Sequence, residues 1–145
     1  MVNVLADSNS IQLAPALDAI RLSLHVLAAA IWVGGQIVMA GLVPKLRGLD
    51  QKTVKSIANQ FAKMAWPAFI VLILTGLWNI SSINIGSATL SWKIVFSVKI
   101  FLVVVTGVAA YVHGKTSDRK VLAVSGSIAG TSAIIVLILG ILIAG

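Results

Sequence analysis

The 145-residue chain contains no cysteine and no glutamate, and only four aspartates stand against 11 lysines and arginines. Without cysteine there is no disulfide, no thiolate metal site, no iron–sulfur cluster and no covalently attached c-type haem. Without glutamate, and with Asp7, Asp18, Asp50 and Asp118 all outside the expected spans, paired-carboxylate acid–base chemistry and an acidic proton relay are disfavoured. Glycine-rich phosphate loops and nucleophile elbows are missing too, which removes the usual signatures of nucleotide and ester hydrolysis. Charge of either sign is scarce, at 10% of residues.

What is present is apolar. Hydrophobic residues make up 59% of the chain and the mean hydropathy is +1.04, more apolar surface than a soluble domain can cover. The net charge of +7 sits in short segments between apolar runs. That placement suits membrane topology and not a phosphate-binding patch, so no nucleic-acid partner is expected. The length fits one compact unit. Residues 1–20 mix polar and apolar groups around Pro15 and read as an exposed tail or surface helix. Carrying Asp7 and Asp18 and no basic n-region, they do not resemble a cleaved signal peptide.

Residues 21–145 read as an all-α integral membrane domain, a four-helix bundle with spans at about 22–43, 64–83, 92–112 and 121–144. Each approximates the ~20 residues that cross a ~30 Å hydrocarbon core. Pro44 closes the first span, residues 45–63 form a basic loop or interfacial helix, and Pro67 falls in the first turn of the second span, where a missing N–H matters little. The fourth span has no ionisable residue, and its Gly126-x-x-x-Gly130 pair marks a close helix contact. Lys45, Arg47, Lys52, Lys55, Lys63, Lys115, Arg119 and Lys120 follow spans one and three, whereas only Arg21 and Lys93 flank the other side. This asymmetry predicts basic loops in the cytoplasm and both termini outside, on the periplasmic side of a bacterial or archaeal inner membrane.

The first span carries His25, Ala29, Trp32, Gln36 and Met39 at steps of three and four, on one helix face. An imidazole at membrane depth is costly and therefore points to a function. The third span carries Trp92, Lys99, Thr106 and His113 along one side, at intervals of seven. At 1.5 Å per residue, His25 lies roughly 5 Å, Lys99 roughly 10 Å and His113 roughly 30 Å below the outer boundary. The two histidines cannot both ligate one haem within a protomer, whereas His25 and Lys99 can share a site. Neutral imidazole is a common haem ligand, and a desolvated lysine can lose its proton and become a nitrogen donor. Trp32 and Trp92 are candidates to pack on a macrocycle, and Gln36 and Asn79 to hydrogen-bond it. The plainer reading has Lys99 snorkelling outward and His25 bonded to a carbonyl or serine. Met39, Met64 and His113 form an alternative set, since thioether and imidazole donors suit Cu(I).

These residues resemble a known superfamily. His25 with Trp32 and Gly34-Gly35 is similar to the first-helix motif of the copper-resistance D (CopD) domain and of the HemJ-type protoporphyrinogen oxidases. Residues Phe61 to Pro67, running on to Leu74-Thr75-Gly76-Leu77, resemble their second helix. Ser97-Val98-Lys99, followed by an apolar run to Tyr111 and His113, is similar to their third. The likeness covers roughly residues 20 to 120. Two elements differ: Ala40 to Lys45 stands where the HemJ type has Pro-Arg-Leu-Phe, and Ser97 stands where a histidine commonly precedes the lysine. The resemblance implies a four-helix membrane bundle. Its HemJ-type branch implies haem b with His25 and Lys99 as important residues, and its CopD branch implies copper uptake or tolerance.

The leading expectation is a small haem-binding membrane protein, with His25 as axial ligand and Lys99 as second ligand or propionate partner. It would exchange electrons with a quinol or a porphyrin-type molecule. The alternatives are a copper transport or tolerance protein using Met39, Met64 and His113 or His25, and a structural subunit of a larger membrane complex. A homo-oligomer or complex partner is expected in each case.

Overall fold

A computed structural model describes residues 13–144, and within them the chain forms four long helices and no strand. They are α1 (Ala16–Leu46), α2 (Gln51–Ser81), α3 (Leu90–Lys115) and α4 (Arg119–Ala144). At 1.5 Å per residue the first pair reaches about 46 Å and the second about 39 Å. All four are long and apolar enough to cross a membrane. Within their most apolar windows only 17–28% of residues are buried inside the bundle. The large apolar side chains that remain point outward, a surface that hydrocarbon covers and water does not. The expected tail at residues 1–20 falls largely outside the described residues, and the helix has already begun at Ala16.

The second helix differs most from the sequence expectation. It starts at Gln51 instead of near Met64, so residues 51–63 are helical, the second of the two forms expected for this segment, and run unbroken into the span, with Pro67 near the middle of the helix. Lysines hide this extension from a hydropathy reading, yet Val54, Ile57 and Phe61 recur along one half-buried side, while Lys52, Lys55 and Lys63 are exposed. Asp50 fixes the start by accepting from the backbone N–H groups of Lys52 and Thr53, both at 3.0 Å. These donors are otherwise orphaned at a helix N-terminus. The Thr53 hydroxyl also donates to the Asp50 carboxylate. These contacts, the Thr53 hydroxyl foremost, hold the Asp50 carboxyl below the usual carboxylate range. Thr89 and Asp118 cap α3 and α4 in the same manner. Asn84 organises a short 3₁₀ turn in the α2–α3 connection.

The helices pack as two antiparallel hairpins, α1 with α2 and α3 with α4. In the second, three side-chain bonds keep one register along its length. Trp92 Nε1 donates to the Ile143 carbonyl at 3.2 Å, Thr106 Oγ1 to Ala129 at 2.8 Å, and His113 Nδ1 to Leu122 at 2.8 Å. In the first, Trp32 stacks on Phe69 with centroids 4.3 Å apart, and Trp66 meets both rings edge-on. Such pairs add about 0.5–1.5 kcal/mol each beyond simple burial. Ala65 and, from α4, Ala133 complete this core. A π-turn at Ala30–Gly34 widens α1 here, and the neighbours Trp32 and Val33 are both buried. Glycine admits the remaining aromatics: a Cβ at Gly35 would lie 2.6 Å from the Phe61 ring, and one at Gly107 2.9 Å from Phe69.

Candidate functional site

His25 sits on α1 two turns beyond Trp32, on the flank that meets α2. Its Nδ1 lies 2.8 Å from Thr75 Oγ1, and Thr75 Oγ1 lies 2.7 Å from the Val71 carbonyl and 3.2 Å from that of Leu72. A hydroxyl has one proton, and the two carbonyls can only accept. That proton therefore goes back to the helix, and the Thr75 oxygen accepts from His25 Nδ1–H. With the Thr75 proton on the Val71 carbonyl, the matching tautomer of the imidazole is the one with its lone pair on Nε2. Gly76 makes room for the ring: its absent Cβ would stand 3.5 Å from His25 Cε1. Both Thr75 and Gly76 fall outside the candidate set drawn from the sequence. Thr75 lies one turn from the sequence candidate Asn79 on α2, as His25 lies one turn from Arg21 on α1.

Lys99 belongs to the other hairpin. Helical side chains lean toward the N-terminus of their own helix, and Lys99 accordingly places Nζ 3.3 Å from where a Gly140 Cβ would be. Across the bundle Trp32 packs with Ala133 and Gln36 approaches Gly130. Two turns beyond Trp32, His25 is thus level with the Gly140 turn. Among the described residues no carboxylate pairs with Lys99; Asp18, in the first turn of α1, is paired with Arg21 at 3.0 Å.

Two buried polar atoms that border this cluster, Arg21 Nε and Asn79 Oδ1, have no hydrogen-bond partner among the described residues. Arg21 is one turn from His25 on α1, and Asn79 one turn from Thr75 on α2, both toward the same end of the bundle. Buried polar atoms are nearly always satisfied in folded proteins, so the grouping of two such exceptions with an oriented imidazole and an unpaired ammonium marks this end as the place where chemistry is expected.

The other sequence candidates lie elsewhere. Trp92 stacks on Phe96 at 5.1 Å and ties α3 to the end of α4 through Ile143. Trp32 has one face on Phe69 and is 3% exposed. Gln36 is about 16 Å from His25 along α1, on the turn facing Gly130. Met64 is 61% exposed on the outer seam of α1 and α2, in an apolar groove with Leu27 and Pro67. His113 is on the opposite hairpin, where its Nδ1 is bonded to Leu122 and its ring lies over Gly126. Met39 is half-buried on α1. No group of three or more His, Cys, Asp or Glu side chains converges among the described residues.

Comparison of the chain with protein-family models, with curated proteins and with solved structures finds no match in any of the three.

Proposed function

We propose that this protein is a small haem-binding protein of the cytoplasmic membrane, exchanging electrons with a lipid-soluble donor or acceptor. The observation that carries the reading is the Thr75-oriented imidazole. A ligating histidine characteristically donates its second ring N–H to a fixed partner, which sets the tautomer and raises the basicity of the open nitrogen. His25 has this arrangement inside a helix bundle, with a lysine lacking a carboxylate partner at the same level. The donor chemistry suits haem b: His25 Nε2 and the Lys99 amine are the groups that would hold it, the lysine either at the iron or as the cation beside a propionate. Bound haem would supply one-electron redox chemistry. The residues of this chain would hold it, fix its orientation and exclude water. The bias of eight basic residues toward one pair of helix ends supports an orientation with those ends in the cytoplasm.

The test is an absorption spectrum of protein purified in mild detergent from haem-sufficient cells, oxidised and dithionite-reduced. A Soret band with reduced α and β bands near stoichiometry, lost or shifted in His25→Ala, is the expected result. Protein that stays colourless after haem is added back overturns the proposal.

A further inference from the structure

A second pair of unpartnered polar atoms lies at the centre of the bundle, away from His25. They are Trp32 Nε1 and Gln36 Nε2, both hydrogen-bond donors on successive turns of α1. Trp32 is 3% exposed, and its ring is clamped between the stacked Phe69 and the edge-on Trp66. The indole N–H therefore cannot swing toward a distant acceptor. Gln36 presents its amide to α4, with Oε1 3.9 Å from where a Gly130 Cβ would start, and Trp32 packs with Ala133. Four residues apart on α1, the two side chains lie on one helix face, beside the stretch of α4 that holds Gly130 and Ala133. Thr106 donates to Ala129 O at 2.8 Å and Ser132 to Ile128 O at 2.6 Å, and neither hydroxyl oxygen accepts from Trp32 Nε1 or Gln36 Nε2. Two unmatched donors inside a hydrocarbon-embedded bundle are costly unless an acceptor arrives from outside the chain.

We infer that Trp32 Nε1–H and Gln36 Nε2–H together hold one hydrogen-bond-accepting oxygen, supplied by a water molecule or by the carbonyl of a lipid-soluble quinone. Both donors are neutral, and the nearest cation on the bundle's inner faces, Lys99, is directed toward Gly140 about two turns away. The chemistry therefore favours a neutral oxygen over a carboxylate or phosphate. An apolar groove of about 310 Å³ runs between α2 and α3, with Trp66, Phe69, Val103 and Gly107 in its lining. It shares Trp66 and Phe69 with the cage around Trp32. This site lies about 10–16 Å from His25 along the helix and does not depend on haem binding.

The experiment follows indole ¹⁵N–H resonances in full-length protein in nanodiscs, where the chain's four tryptophans give four signals and Trp32→Phe assigns one. The expected result is a Trp32 signal in the hydrogen-bonded range that shifts in Gln36→Leu while the other three stay in place. A short-chain ubiquinone is then titrated. Saturable movement of the Trp32 signal alone identifies the quinone as the source of the oxygen. A cross-peak to water that persists unchanged at saturating quinone identifies water. A Trp32 signal at the position of a free indole, or one indifferent to Gln36→Leu, overturns the inference. The three remaining indole signals report whether each variant is folded, and haem content does not enter any of these outcomes.

Discussion

The hydrogen bond between His25 and Thr75 decides which imidazole nitrogen remains open, so its energy can be worked out and measured without any ligand. Thr75→Val keeps the shape of a β-branched side chain and removes the acceptor, stranding the Nδ1–H of a half-buried ring beside helix carbonyls that are already bonded. Losing the bond and leaving its donor unmatched should destabilise the protein by about 1–2 kcal/mol. His25→Leu removes the donor at similar volume, and the double variant closes the cycle. Side-chain hydrogen bonds between membrane helices couple by about 0.6 kcal/mol on average and at most about 1.7. This pair, at 2.8 Å, is expected in the upper half of that range. Unfolding of the four proteins in dodecyl sulfate, followed by circular dichroism, gives the coupling directly. Thr75→Ser, which retains the oxygen, should recover most of it. A coupling within the ~0.3–0.5 kcal/mol scatter of independent sites, or a serine variant as unstable as the valine one, would refute the assignment of the tautomer.

Other expectations follow from the same contacts. Gly35→Ala must push the Phe61 ring from 2.6 Å and should cost about 1–3 kcal/mol. Gly41→Ala, where nothing lies within 4 Å, should instead stabilise by up to about 1 kcal/mol from helix propensity; both are read in the same unfolding assay. Thr106→Val removes the bond to Ala129 from the most deeply buried side chain of the α3–α4 hairpin and should destabilise by about 1 kcal/mol. The Asp50 carboxyl is held below its ordinary value near 4, so its contribution to the start of α2 is complete above that value and is lost as pH falls through the lower, folded-state value. Amide exchange at residues 52–55 should therefore accelerate below about pH 4 relative to the rest of α2, and Asp50→Ala should abolish that pH dependence. Unchanged exchange between neutral and acidic pH would refute it.

The number and order of the helices are legible in the hydropathy of the chain, because lipid exposure demands long apolar runs. The inward face of α1 is legible too, since His25, Trp32 and Gln36 interrupt such a run at helical spacing. The true length of α2 is not, because a helix that leaves the hydrocarbon stops being apolar while its backbone continues unchanged through Lys52 to Lys63. Nor is the partner of His25. Threonine in an apolar span looks like any other small residue until the register of α1 against α2 is known, and that register depends on how Trp32 meets Phe69. The role of Gly140 is hidden for a similar reason: in sequence it resembles Gly126 and Gly130, yet one accommodates a lysine, one a histidine and one a glutamine.

The helices pack much more extensively within each hairpin than between them, and the two nitrogen-donor candidates are divided across that thin joint. His25 and Thr75 are complete within the first hairpin, whereas Lys99 and Gly140 belong to the second. Each hairpin can therefore form as a cooperative unit, with docking of the two as the last and weakest step. Any molecule that touches both sides acts as a clasp on this step. Its occupancy and the assembly of the bundle become one equilibrium, worth about 2.7 kcal/mol when the molecule is present at a hundred times its dissociation constant. Loosening the joint at a distant position, for example where Phe69 fits against Gly107, would then weaken binding without altering a single atom that the bound molecule contacts.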